Sequence, residues 1–176
     1  PDNEACLRLP GIDGNAKMSK SLGNCIYLAE DPKDIKKKVM SMFTDPNHIR
    51  IEDPGSLEGN TVFTYLDAFC NDQHFEEYLP DYKNLDELKE HYQRGGLGDV
   101  KVKKFLNNVL QEELEPIRKR REELQKDIPY VYEVLKKGSE VARETAAQTL
   151  HEVRDAMKIN YFDDMELIRS QAKKYE

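Results

Sequence analysis

The feature that most restricts the fold of this chain is the helical spacing of apolar residues from Asp31 onward. Asp31 and Pro32 form a typical helix start, an N-cap followed by proline at the first helical position. Gly95 and Gly96 form a typical helix stop, and Asp99 can cap a long helix after them. Apolar residues three and four positions apart give each segment one apolar face. The spacing therefore predicts a mainly α fold, with an antiparallel helical bundle over residues 31–176.

The same spacing predicts the individual helices and the connections between them. Residues 48–59 are acidic, contain Pro54-Gly55, and are interpreted as a surface loop, while the segment around 78–80 is interpreted as a connection. Helices are predicted at residues 32–43, 60–71, 86–93, from 99 onward, 128–157 and 163–174.

Residues 1–30 have a different pattern. Two short apolar pieces, at 7–9 and 26–28, flank a loop rich in Gly, Asn, Lys and Ser. They are too short to form a domain alone, so we interpret them as the last strands of a fold whose remainder lies outside this sequence. The absence of Met at Pro1 also favours a fragment of a longer protein.

Composition and charge exclude several classes of protein. The 176 residues are 38% apolar and 35% charged, with no apolar run long enough to span a membrane. The three cysteines are widely spaced, which argues against a disulfide framework or a zinc site. The net charge is −7, whereas a sequence-blind nucleic-acid binder is usually basic. Any contact with RNA must therefore come from local basic faces, and the alternative is that the chain does not bind nucleic acid at all.

The segment from Pro10 to Asn24 contains the residues best suited to chemistry. Lys17 and Lys20 lie three positions apart, and glycines on both sides allow the backbone to move. Two ammonium groups on a hinged loop can close over a polyphosphate and stabilise negative charge on leaving pyrophosphate. A loop of this composition can also be a solvated linker, which is the alternative interpretation.

The exact string Lys17-Met18-Ser19-Lys20-Ser21 resembles the nucleotide-loop signature of class I aminoacyl-tRNA synthetases. The flanking segments make the resemblance more specific, because they are similar to bacterial-type tryptophanyl-tRNA synthetases. These segments are residues 9–16, 44–46, 94–101, 114–118 and 138–157. The resemblance covers nearly the whole chain up to about Phe162.

The resemblance implies a tryptophan–tRNA ligase that uses ATP with Mg²⁺, transfers tryptophan to tRNA(Trp), and is a cytoplasmic homodimer. It implies that residues 1–30 are the C-terminal edge of a Rossmann-like α/β catalytic domain and that residues 31–176 bind the tRNA anticodon arm. A His-x-Gly-His-type loop typical of the family is absent from this sequence. We therefore expect this chain to be inactive alone. A free-standing helical module for RNA or protein interaction, derived from a synthetase, is the alternative.

The resemblance also implies roles for individual residues. It assigns Lys17 and Lys20 to catalysis through the phosphates of ATP. The expected ATP-binding residues are Arg8, Lys17, Met18, Ser19, Lys20 and Ser21, and no residue is expected to be a metal ligand.

Candidate RNA contacts come from basic groups and aromatic side chains. The basic residues are Lys101, Lys103, Lys104, Arg118, Arg120 and Arg121. They can equally be solvated helix faces paired with neighbouring glutamates, and we interpret Lys36, Lys37 and Lys38 in that way. Six tyrosines can stack on bases or fill the core, and the core is the commoner use. They are Tyr65, Tyr82, Tyr92, Tyr130, Tyr132 and Tyr161.

Overall fold

A computed structural model describes residues 7–175, which divide into two compact units with the boundary between Glu122 and Glu123. The described residues form seven helices: α1 (Pro32–Met40), α2 (Thr61–Phe69), α3 (Asp72–Tyr78), α4 (Leu85–Arg94), α5 (Asp99–Gln125), α6 (Ile128–Ala156) and α7 (Met165–Ala172). The mainly helical class predicted from the sequence is confirmed.

Polar caps determine where the helices of the first unit begin. The Asp31 side chain accepts a hydrogen bond from the Lys33 amide at 2.8 Å, with Pro32 behind it, as the sequence predicts. Asn60 caps α2 and Asn84 caps α4 in the same way. Each cap pairs an amide that would otherwise lack a partner at the helix start.

Helix α3 was not predicted, because its segment was interpreted as a connection. Asn71 accepts a hydrogen bond from the His74 amide at 3.2 Å, and the His74 ring accepts one from the Asn71 amide at 3.1 Å. This reciprocal capping box starts a helix of seven residues that buries Phe75.

The core of the first unit lies between the apolar faces of its helices. Phe75 of α3 packs against Phe105 of α5 with 4.6 Å between ring centroids. Tyr65 and Tyr92 are also buried, so these tyrosines serve the core, whereas Tyr130, Tyr132 and Tyr161 are exposed. Other buried members of this core are Ile35, Val39, Met42, Val62, Phe63, Leu66, Leu79, Tyr82, Leu88, Leu97, Val102, Leu106, Val109, Leu110 and Leu114.

Tyr92 joins the acidic loop to the helices around it. Its hydroxyl donates to Asp99 at 2.7 Å and accepts from the Asn60 side chain at 3.3 Å. Gly55 donates its amide to the Tyr92 carbonyl at 3.0 Å, and a Cβ at Gly55 would lie 2.2 Å from the Tyr92 ring. The close approach therefore requires glycine at position 55. Gly95 ends α4 with φ of 89°, which confirms the predicted helix stop.

The short strands predicted at 7–9 and 26–28 are not present in the described residues. The described part of the chain contains a single isolated antiparallel bridge, between Pro10 and Lys17, and no strand. Strands need neighbours to complete their backbone hydrogen bonds, and these pieces have none here. Leu9 and Ile26 instead pack against the helical core, while Leu7 and Leu28 are exposed.

The second unit contains α6 and α7. Asp127 caps α6 by accepting from the Tyr130 amide at 3.1 Å, and Asp164 caps α7 by accepting from the Leu167 amide at 2.9 Å. Neither helix has a buried residue. Over the described residues, no helix is both long enough and apolar enough to cross a membrane.

The cysteines in the described range are free thiols. Cys25 is buried and Cys70 is half-buried, and neither forms a disulfide. Burial, with Asp72 and Asp67 nearby, raises the pKa of the Cys70 thiol to about 12. Cys6 lies outside the described residues.

Candidate functional site

The segment from Pro10 to Asn24, here called the lysine loop, is closed by backbone hydrogen bonds. Gly11 donates its amide to the Ala16 carbonyl at 2.6 Å, next to the bridge between Pro10 and Lys17. Gly14 donates to the Gly11 carbonyl at 2.9 Å and has φ of 72°, a conformation that favours glycine. These bonds form a tight turn before the two lysines.

The lysine loop is fixed to the helical core at its base. The Tyr65 hydroxyl of α2 donates to the Pro10 carbonyl at 2.8 Å, and burial raises the pKa of this phenol. The Phe43 amide donates to the Ile12 carbonyl at 2.8 Å. Ile12 and Met18 pack against the core from inside the loop. The backbone that leads to the lysines is therefore held by helix α2 and by the segment that follows α1.

Lys17 and Lys20 have exposed side chains with no hydrogen bond or ion pair to another residue between 7 and 175. In the same segment, the Ser19 and Ser21 hydroxyls lie 2.8 Å apart. Two unpaired ammonium groups and two hydroxyls on one turn can bind the oxygens of a polyphosphate. Unpaired cations suit this role because no existing salt bridge has to break.

The other residues expected to contact ATP lie in different settings. Arg8 is exposed before the loop. The Met18 side chain packs against the core, which suits a residue that fixes the loop. These contacts remain predictions. Among the described residues, no group of three or more His, Cys, Asp or Glu could hold a metal ion.

Asn24 is the last residue of the lysine loop, and its role was not predicted from the sequence. Its side chain accepts from the Ser19 amide at 2.8 Å and donates toward the Asp13 carboxylate at 3.2 Å and 3.3 Å and the Lys17 carbonyl at 3.4 Å. Its position directly after Gly23 was the one indication in the sequence of a structural role. Its hydrogen bonds form only once the turn has folded, so they could not be predicted.

The structure separates the three lysines predicted at the start of α5. Lys103 donates to the Met40 carbonyl at 3.3 Å, and burial lowers the pKa of its ammonium group. Lys101 lies 2.9 Å from Asp81 and over the Tyr82 ring, 5.3 Å from the ring centroid. Lys104 is exposed, and its ammonium group has no partner in the described part of the chain. Lys104 is therefore the most available cation of the three.

The arginines predicted farther along α5 also differ from one another. Arg118 donates to the Gln111 carbonyl at 3.3 Å and to the Gln111 side chain at 3.0 Å. Its guanidinium group therefore links two positions on α5 that are seven residues apart. Arg120 and Arg121 are exposed.

A cleft of about 580 Å³, here called the α5 cleft, lies beside the start of α5. Two of its lining residues, Arg50 and Lys104, are exposed cations, and neither side chain forms a hydrogen bond or ion pair with another residue between 7 and 175. The complete lining is His48, Ile49, Arg50, Ile51, Tyr82, His91, Gly96, Leu97, Gly98, Asp99, Val100, Lys101 and Lys104. Arg50 was missed in the sequence because it stands alone in an acidic loop.

The floor and rim of the α5 cleft have different characters. His48 is buried, with Nδ1 3.3 Å from the Asp99 carboxylate and with Nε2 unpaired. Because a carboxylate only accepts hydrogen bonds, we assign the proton to Nδ1. At the rim, Ile49, Ile51 and Val100 are exposed. The cleft therefore combines cations with exposed aliphatic side chains, which suits a ligand with both phosphates and flat apolar faces.

The comparisons with known proteins agree with this arrangement. The profile of the tRNA synthetases class I (W and Y) family matches residues 6–115. The chain is 65% identical over 158 residues to a tryptophan–tRNA ligase of Clostridium longisporum, covering 90% of this chain and 44% of that protein. It is 58% identical over 162 residues to that of Streptococcus agalactiae, covering 92% of this chain and 46% of that protein.

Solved structures give the same result. Tryptophanyl-tRNA synthetase from Campylobacter jejuni, complexed with ADP and tryptophan, superposes with a TM-score of 0.67 at 27% identity, over 89% of this chain and 45% of that one. A second structure of the Campylobacter jejuni synthetase superposes with a TM-score of 0.65 at 26% identity, over 86% and 45%.

The resemblance to tryptophanyl-tRNA synthetases read from the sequence is thus confirmed, and the chain spans about half the length of the curated relatives it matches. With a family profile that covers more than half of its residues, this chain belongs to the class I tRNA synthetases of the tryptophan and tyrosine family.

Proposed function

We propose that this chain is part of a tryptophan–tRNA ligase and that its lysine loop binds the phosphates of ATP during activation of tryptophan. The observation that carries the proposal is the pair of exposed, unpaired lysines, Lys17 and Lys20, on a turn fixed by the helical core. The 65% identity to a protein named tryptophan–tRNA ligase supports the choice of amino acid.

The chemistry follows from where negative charge develops. When the carboxylate of tryptophan attacks the α-phosphorus of ATP, the bond to pyrophosphate breaks and charge builds on that leaving group. Lys17 and Lys20 donate to its oxygens, with Ser19 and Ser21 as neutral donors. Contacts that form fully only as the loop closes stabilise the transition state more than bound ATP. Mg²⁺ enters with the ATP phosphates, which are its usual ligands.

The same proposal assigns the parts of the chain. Residues 1–30 form the C-terminal edge of a Rossmann-like catalytic domain, and residues 31–176 form the helical bundle that binds the anticodon arm of tRNA(Trp). The full-length protein works as a cytoplasmic homodimer. Because a His-x-Gly-His-type loop is absent from this sequence, the 176-residue chain is inactive alone.

For the RNA contact, we propose the α5 cleft. Arg50 and Lys104 supply unpaired charge for phosphates, whereas Lys101, also in the lining, is already paired with Asp81. The exposed Ile49, Ile51 and Val100 side chains offer apolar contact to unpaired bases. Such a local cation group reconciles RNA binding with a net charge of −7, because the rest of the surface repels unrelated nucleic acid.

Tryptophan-dependent exchange of pyrophosphate into ATP tests the proposed activity. We expect exchange by the full-length protein that contains this chain and none by the 176-residue chain alone. Tyrosine in place of tryptophan is the control for the amino acid. Exchange that depends on tyrosine, or no exchange with either amino acid, would contradict the proposed activity.

A further inference from the structure

Asn24 is almost completely buried, whereas Ser19 is half-buried and the other polar side chains of the lysine loop are exposed. Only 5% of the Asn24 surface is accessible. A buried amide without hydrogen-bond partners would destabilise the loop, because its polar groups would lose their bonds to water without replacement. The Asn24 amide avoids this cost because both of its ends have partners, the Ser19 amide on one side and Asp13 with the Lys17 carbonyl on the other.

These partners determine which way the amide faces. The Ser19 N–H is a donor, so it needs the Asn24 oxygen. The Asp13 carboxylate and the Lys17 carbonyl are acceptors, so they need the Asn24 NH₂ group. Rotation of the amide by half a turn would place donor against donor and acceptor against acceptors. An asparagine in this one orientation therefore satisfies all of its neighbours.

The surrounding backbone is shaped to admit this side chain. A Cβ at Gly11 would lie 2.2 Å from the Asn24 nitrogen, so only glycine leaves room for the amide. The Asn24 carbonyl also accepts from the Ile12 amide at 2.9 Å. Main-chain and side-chain groups of Asn24 thus connect the segment at Ile12 and Asp13 to the segment at Lys17 to Ser19.

We propose that Asn24 is a positioning residue that presents Lys17 and Lys20 together to the phosphates of ATP. Its amide holds the Lys17 carbonyl and the Ser19 amide, the two backbone groups on either side of Met18. Asp13 orients the amide, and Gly11 gives it space. The importance of this arrangement for catalysis rests on the proposed function of the lysines, but its effect on loop geometry does not.

Proteolysis by Lys-C measures the loop geometry directly in the 176-residue chain. Cleavage after Lys17 or Lys20 requires the local backbone to open. We expect Asn24→Ala to increase the rate of cleavage at both lysines by roughly tenfold, because it removes the bonds to Lys17 and Ser19. Asn15→Ala, at an exposed position of the same loop, is the matched control. Equal rates for the two variants would overturn the proposal.

A paired substitution separates positioning from a general loss of packing. In Asp13→Asn/Asn24→Asp, the acceptor for Ser19 remains and the donor moves to position 13. We expect Asn24→Asp alone to behave like Asn24→Ala, because it places two carboxylates together. The pair should recover part of the protection, since the Ser19 amide keeps its acceptor while the Lys17 carbonyl loses its donor. A pair as rapidly cleaved as Asn24→Asp would overturn the proposal.

If Asn24→Ala unfolds the first unit, cleavage will also accelerate after Lys103, a half-buried residue of α5 in that unit, and Asp13→Ala then becomes the deciding variant. Asp13 is exposed, so its loss spares the core, yet it removes the group that orients the amide. Faster cleavage limited to Lys17 and Lys20 supports the proposal, and unchanged cleavage there refutes it.

Kinetics in the full-length protein provide the catalytic readout. We expect Asn24→Ala to lower kcat for pyrophosphate exchange by roughly tenfold and to change the KM for ATP much less. A loss confined to KM would refute positioning in the transition state. A wild-type protein without any exchange would refute the proposed function instead, while the proteolysis result would still report on Asn24.

Discussion

Lys17 and Lys20 differ from Lys103 in the partners that the fold gives them. Lys103 is committed to a backbone carbonyl of α1, whereas the two loop lysines have no partner within residues 7–175. A lysine that already neutralises a structural group contributes little to a ligand. The lysines proposed to bind a ligand therefore differ from the other lysine in having an ammonium group that is free of protein partners, and not in charge.

Alanine substitution of either loop lysine tests this distinction. In the full-length protein, we expect Lys17→Ala or Lys20→Ala to slow adenylate formation by about 10²–10³-fold, as loss of an oxyanion donor does. The affinity for ATP should change far less. Single-turnover kinetics and equilibrium ATP binding measure the two effects. Lys137→Ala, which removes an exposed ion pair with Glu133 in α6, is the control. Equal losses of rate and affinity would contradict a transition-state role.

At the scale of elements, most helix ends follow from local chemistry. Asp31, Asn60 and Asn84 cap their helices through side-chain oxygens, and Gly95 ends α4 with a positive φ. These signals are local, so the sequence predicts them well. α3 has the same kind of cap at Asn71, but its brevity and the adjacent Leu79-Pro80 favoured a connection instead.

The capping box of α3 predicts a measurable contribution to stability. We expect Asn71→Ala to lower the free energy of unfolding by about 1 kcal/mol, because the His74 amide loses its acceptor. Urea denaturation of the chain, followed by circular dichroism, measures this change. Asn47→Ala, at an exposed turn position, should leave the midpoint nearly unchanged. An unchanged midpoint for Asn71→Ala would mean that packing of Phe75 alone maintains α3.

The candidate site was less predictable than the helices because its geometry is tertiary. The motif identified Lys17 and Lys20, but it could not show that the Asn24 amide ties the loop together. Likewise, the sequence shows the basic residues at the start of α5. Arg50 is distant from them in the sequence and lines the same cleft only in the folded chain. Short apolar pieces resembled strands because a sequence does not show whether a pairing partner is present.

At the scale of the whole molecule, the distribution of charge is the main electrostatic feature. The chain carries 34 acidic and 27 basic side chains, yet the α5 cleft has three cations and one carboxylate among its lining residues. A local cation group in an acidic protein attracts a polyanion to one place rather than to the whole surface.

Binding of a tRNA(Trp) transcript to the 176-residue chain tests the α5 cleft. We expect Arg50→Gln/Lys104→Gln to weaken binding roughly tenfold and to reduce the slope of log affinity against log salt by about 2, one for each lost phosphate contact. Lys33→Gln/Lys83→Gln makes the same change in net charge at exposed positions of the same unit. An equal loss in this control would mean that long-range charge, rather than the cleft, determines RNA binding.

The contacts of Tyr92 have a consequence for how the first unit opens. One side chain simultaneously touches the cap of α2, the start of α5, the His48 ring and the backbone at Gly55. If any one of these segments leaves its native position, its hydrogen bond or ring contact with Tyr92 is broken. The other segments depend on the same Tyr92 side chain. The acidic loop is therefore part of the same cooperative opening unit as the helices, although its composition is that of a mobile connector.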